Sequence, residues 1–109
     1  MDIQVETIGE GRIIRVEGRI TFEHCPELER RIDEALAGRP REIGLDLGAV
    51  PFMDSSGVGE ILRLFKRMRE AGGELVLLRP NRKLRSLFAM YRFDRFLTIR
   101  EPGGGEGDE

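Results

Sequence analysis

At 109 residues, with 39% hydrophobic and 35% charged side chains, the chain has room for one domain built on a single core of modest size. A net charge of −2 argues against a dedicated nucleic-acid binder, no apolar run approaches the roughly 18 residues that span a bilayer, and a lone Cys25 excludes an internal disulfide. The opening Met1-Asp2-Ile3-Gln4-Val5 has neither the basic nor the apolar region of an export signal, so a cytoplasmic location without membrane insertion is expected.

Ile3, Val5 and Thr7 alternate with polar residues and predict a first strand, and Gly9-Glu10-Gly11 turns it into a second, Ile13 to Val16. Gly18 ends that strand, and a loop through Thr21 and Phe22 leads to Pro26, a residue suited to the first turn of a helix. This helix carries Cys25, Leu28, Ile32, Ala35 and Leu36 on one face and stops at Gly38 and Pro40. A third strand over 42–47 follows, with Ile43, Leu45 and Leu47 alternating with Gly44 and Asp46.

From Val58 the apolar spacing changes. Val58, Ile61, Leu62, Phe65 and Met68 recur as the stripe of a helix, which is predicted from about Ser56 to Ala71. Gly72-Gly73 closes it, with Arg67 and Arg69 near its negative end. Leu75 to Leu78 form an almost unbroken apolar run, as in a strand covered on both faces. Pro80-Asn81 turns the chain into a third helix marked by Leu84, Leu87, Phe88 and Tyr91, and Phe96, Leu97 and Ile99 suit a last short strand. The segment 102–109, PGGGEGDE, has no apolar side chain to bury and is expected to be disordered.

The order β-β-α-β-α-β-α-β predicts an α/β fold over residues 1–101: a mixed sheet of four or five strands, parallel in its interior, with about three packed helices. Between the third strand and the central helix lie Asp54, Ser55, Ser56 and Gly57, two hydroxyls and a carboxylate at a helix N-terminus. The first N–H groups there lack intrahelical partners and the macrodipole favours negative charge. A capping reading is open as well, with Asp54 or Ser56 as the N-cap, although Glu60 lies one residue too far from Ser56 for a capping box. Met53 either packs beneath this loop or is exposed to a partner, and Gly57 and Gly59 would let a partner's backbone come close.

Charge is uneven along the chain. Residues 79–100 hold seven basic side chains against Asp94, a local charge of +6 against −8 for the remainder, so this end could meet an acidic partner. His24 and Cys25 have no second Cys or His at ligand spacing, so no metal is expected. A Ser-His-Asp hydrolase would require His24 to meet Ser55 across the fold, and the glycine clusters carry no Walker lysine, so neither a catalytic role nor a cofactor is expected.

The element order and the run Phe52-Met53-Asp54-Ser55-Ser56-Gly57-Val58-Gly59 resemble the STAS domains, specifically the bacterial anti-sigma factor antagonists, whose motif is (F/Y)-M-D-S-(S/T)-G-(L/V)-G at the start of a helix. Leu45-Asp46-Leu47, Gly72-Gly73-Glu74-Leu75 and the Leu84-to-Phe88 helix match too, so the likeness covers about residues 3–100. The resemblance implies a partner switch. The unphosphorylated protein would bind an anti-sigma factor that is also a GHKL-type serine kinase, releasing a sigma factor, and a PP2C-type phosphatase would reverse the phosphorylation. Carried onto this chain, the acceptor is Ser55, with Ser56 the weaker candidate, and the partner-binding residues are Met53, Asp54, Ser55, Ser56, Gly57, Val58, Gly59 and Thr21. Thr21 is a departure, since the family carries aspartate there after Gly18-Arg19-Ile20, which bears on kinase geometry. The alternative is a non-catalytic STAS scaffold subunit of a lipid-transport ABC complex or a stress-signalling assembly.

Overall fold

The computed structural model describes residues 1–101, and the predicted 102–109 tail lies outside the described residues. Strands β1 (Asp2–Ile8) and β2 (Gly11–Glu17) form the expected hairpin, and β3 (Glu42–Ala49), β4 (Glu74–Leu78) and β5 (Thr98–Arg100) complete one sheet in the order β1-β2-β3-β4-β5. Only the β1–β2 pair is antiparallel; β2–β3, β3–β4 and β4–β5 run parallel. Helices α1 (Cys25–Leu36), α2 (Ser55–Glu70) and α3 (Arg82–Met90) make the three crossovers. Because each crossover advances the chain by one strand in the same direction, the right-handed rule stacks all three helices on one face.

Alternation in the strands supplies that face. Ile14, Val16, Ile43, Leu45, Leu47, Leu75 and Leu77 join Leu28 and Ile32 of α1, Val58, Ile61 and Leu64 of α2, and Leu84 and Phe88 of α3 in one core. Truncating such a residue to alanine costs about 2–5 kcal/mol. The unbroken apolar run of β4 is buried on both faces, as expected, but helices cover only one of them. Val76 points away from the core between Gly44 and Thr98, buried at sheet level without belonging to the helix-covered cluster.

The other sheet face is organised by charge. Arg79 donates from Nε and Nη2 to the two carboxylate oxygens of Asp46 at 3.1 and 3.0 Å, while Gly48 N–H donates to the same carboxylate at 3.0 Å. A side chain at Gly48 would collide with the Arg79 guanidinium, so the glycine leaves space for the pair. Burial alone would push the Asp46 carboxyl up, but the hydrogen bonds from Arg79 and Gly48 and the nearby charges of Arg79 and Arg15 hold it below its ordinary value.

Candidate functional site

The sequence builds the site from two loops locked side by side. Beyond β3, residues 50–54 run against the segment after β2: Ile20 N–H donates to the Phe52 carbonyl at 3.0 Å and Asp54 N–H returns a bond to the Ile20 carbonyl at 3.1 Å. Ile20 and Met53 form a parallel bridge there, with both side chains buried. Arg19 adds a cation–π contact, its guanidinium carbon 5.0 Å from the Phe52 ring centre.

Asp54 is the N-cap of α2. Its Oδ1 accepts the N–H groups of Ser56 at 2.9 Å and Gly57 at 3.3 Å, and its Oδ2 accepts the N–H of Phe22 at 3.2 Å. One carboxylate thus satisfies two orphan donors of the helix and one of the opposite loop. Helix α2 begins one residue earlier than the periodicity indicates, so Ser55 occupies the first helical position. The serine itself is exposed, and its neighbour Ser56 is half-buried.

Helical geometry separates the two hydroxyls. Ser55, Gly59 and Leu62, spaced four and three residues apart, are exposed on one face. Ser56, Glu60 and Arg63 lie on the neighbouring face, where Arg63 reaches Asp33 of α1 at 2.9 Å. Of the two hydroxyls, Ser55 is therefore the more open to solvent.

Of the residues expected to touch a partner, the structure brings Asp54, Ser55, Ser56, Gly59 and Thr21 to the surface, fully or in part. It turns three inward. Met53 is 3% exposed and supports the loop from below, and Val58 belongs to the core. Gly57 is buried too: a Cβ there would run into Met53 Cγ and lie 3.0 Å from Ile20 Cγ2, so this glycine serves internal packing, in contrast to the expected approach of a partner backbone. Gly59 has open space around it.

Thr21 and His24 hold each other. Thr21 N–H donates to His24 Nδ1 at 3.2 Å, and Thr21 Oγ1 lies 3.0 Å from the same nitrogen. Burial, reinforced by the charges of Glu60, Asp54 and Glu29, pushes the Cys25 thiol up, so it stays protonated as a core residue. No cluster of His, Cys, Asp and Glu able to hold a metal occurs among the described residues, and no helix there is long and apolar enough to cross a membrane.

Sequence reasoning missed two features. Phe22, in a 3-10 turn (Phe22–His24) ahead of α1, is 76% exposed, although its spacing to Cys25 and Leu28 would extend the apolar stripe of that helix. The second is Glu60, 7% exposed at the α1–α2 contact with Oε1 lacking a hydrogen-bond partner. Burial, with the Glu29 carboxyl beside it, pushes its pKa up to about 8.

Comparison with known proteins agrees with this geometry. The chain is 34% identical over 88 residues to an anti-sigma F factor antagonist of Paenibacillus polymyxa, covering 80% of this chain and 75% of that one. The unphosphorylated form of the anti-sigma factor antagonist SpoIIAA superposes with a TM-score of 0.74 at 26% identity, over 91% of this chain and 87% of that one. An anti-sigma factor antagonist from Mycobacterium paratuberculosis shares the fold with a TM-score of 0.83 at 22% identity, over 93% and 85%. A family model described as the STAS domain matches residues 2–102, and with the sheet, the helices and the Asp54-capped serine all in place, the chain belongs to the STAS domain family.

Proposed function

We propose that this protein is an anti-sigma factor antagonist whose binding is controlled at Ser55. Unphosphorylated, it binds an anti-sigma factor that is a GHKL-type serine kinase and so releases a sigma factor; the kinase then phosphorylates Ser55, and a PP2C-type phosphatase restores the hydroxyl. The relatives named as anti-sigma factor antagonists and the likeness to SpoIIAA support the reading, and SpoIIAA has been solved in both unphosphorylated and phosphorylated forms. The observation that carries it is the exposed Ser55 hydroxyl at the first position of α2, directly after the capping Asp54.

The physical case rests on charge. A phosphoserine brings about −1.5 to −2 charges at neutral pH. At this helix the N–H groups of Ser56 and Gly57 are already taken by Asp54, so the phosphate arrives beside a carboxylate. Within a surface fitted to a neutral hydroxyl, that means like-charge repulsion and desolvation of several kcal/mol, where about 1.4 kcal/mol is tenfold in affinity. The domain itself stays folded because Ser55 makes no core contact and the added charge sits at the positive end of the helix dipole. Incubation with the kinase and ATP, followed by peptide mass spectrometry, tests the assignment: phosphate on Ser55 is expected, and stoichiometric phosphate on Ser56 or on no serine of this loop contradicts it.

A further inference from the structure

We infer that Phe22 is the apolar anchor by which the anti-sigma factor is held against Ser55, an inference that rests on the function proposed above. An exposed phenylalanine alone means little, because single apolar side chains occur on every protein surface. Here the turn that carries it is fixed on all sides. Phe22 N–H is bound by Asp54 Oδ2, Ile20 two residues earlier is bonded in both directions to the 52–54 loop segment, and His24 N–H donates to the Thr21 carbonyl at 2.9 Å. The ring is presented by a rigid backbone, so a partner need not freeze a loop to use it.

Its position is tied to the modified serine. The carboxylate that receives Phe22 N–H through one oxygen receives the first donors of the Ser55 helix through the other, so ring and hydroxyl stand on two turns joined by one side chain. Along α2 the same exposed face continues through Gly59, which has no side chain, to Leu62, 39% exposed. An exposed aromatic on the turn bonded to Asp54, the exposed Ser55 beside that same carboxylate and an exposed aliphatic further along the helix supply the elements of a binding hot spot: apolar anchors that fill pockets, near a group whose charge decides the outcome. The occupant it fits is the anti-sigma factor, offering an apolar pocket next to the groove that receives Ser55.

The division of labour follows. Phe22 sets how long the partner stays, and Ser55 sets whether it is accepted. The test measures affinity and dissociation rate for the anti-sigma factor kinase from the same genome that binds the wild-type chain, using wild type, Phe22→Ala, Phe22→Leu and Ser55→Ala, with melting temperatures alongside. Phe22→Ala is expected to weaken binding by about 30-fold or more, mainly through faster dissociation, with melting unchanged, while Phe22→Leu recovers much of the loss and Ser55→Ala retains affinity. Binding of Phe22→Ala within twofold of wild type overturns the anchor and leaves the Ser55 reading standing. If no such kinase binds the wild-type chain, the proposed function falls and the anchor with it. A loss of affinity matched by a drop in melting temperature, and not recovered by Leu, identifies Phe22 as a structural residue and also overturns the inference.

Discussion

The structure settles which side chain of the Asp54-Ser55-Ser56 loop caps the helix, a choice the sequence leaves open between Asp54 and Ser56. Asp54 does the capping and Ser55 is left free, so the capping and regulatory readings of the loop are both accommodated, on different side chains. Replacing Asp54 by Ala should therefore destabilise the fold by about 1–2 kcal/mol, since it strips the cap from α2 and a bond from the Phe22 turn at once. Ser55→Ala should leave stability within about 0.5 kcal/mol, as surface substitutions do. Thermal melts of the two variants check the contrast, and equal losses would place the cap on the serine. The motif made the identities of these residues legible and the apolar stripe already carried Val58, but the burial of Gly57 was not legible: it follows from the bridge between Ile20 and Met53, a contact between segments over thirty residues apart, against which Gly57 packs.

At the scale of elements, the two glycines of α2 make opposite predictions. Gly57→Ala drives a methyl into Met53 and Ile20 and should destabilise by about 1–3 kcal/mol. Gly59→Ala meets open space in an exposed helical position and should stabilise by up to about 1 kcal/mol. Denaturant unfolding of both variants reads the difference, and a loss at Gly59 matching that at Gly57 would contradict the packing described. The contact between α1 and α2 carries a pH dependence of its own. Glu60 faces Glu29 and, more loosely, Arg63 at 3.8 Å, with Asp33 further along α1, and burial lifts its pKa from an ordinary 4.5 to about 8. Since the folded state holds this proton more tightly than the unfolded chain, the contribution is fully present below about pH 4.5, declines as pH rises, and is gone above about 8. Melting temperature should fall between pH 6 and 9 in the wild type and change less in Glu60→Gln; parallel profiles would show that Glu60 does not titrate in this window. Periodicity could not reveal this residue, because a glutamate between Gly59 and Ile61 reads as the polar side of the stripe until α1 is laid over it.

Across the whole molecule, the alternation of strands and helical stripes was enough to give the order of elements and the mixed sheet. What it could not give was which sheet face the helices cover, since that follows from the handedness of successive crossovers and not from any one segment. The run Leu75 to Leu78 is buried on both sides, but by helices on one face only, and the opposite face carries the Asp46–Arg79 pair. Arg79→Ala should leave the buried Asp46 carboxylate with only Arg15 and the Gly48 N–H and destabilise by about 1–3 kcal/mol, whereas Arg92→Ala, at a position outside any ion pair among the described residues, should change little. Such a rigid scaffold is what a surface switch requires, because a charge added at one exposed oxygen can then alter recognition without altering the fold. The most direct measurement is the affinity of the cognate anti-sigma factor for the chain before and after stoichiometric phosphorylation at Ser55, read together with the melting temperature of each form. A loss of 100-fold or more with melting shifted by only a few degrees is the expected result. Equal affinities for the two forms, or unfolding of the phosphorylated chain, would contradict it.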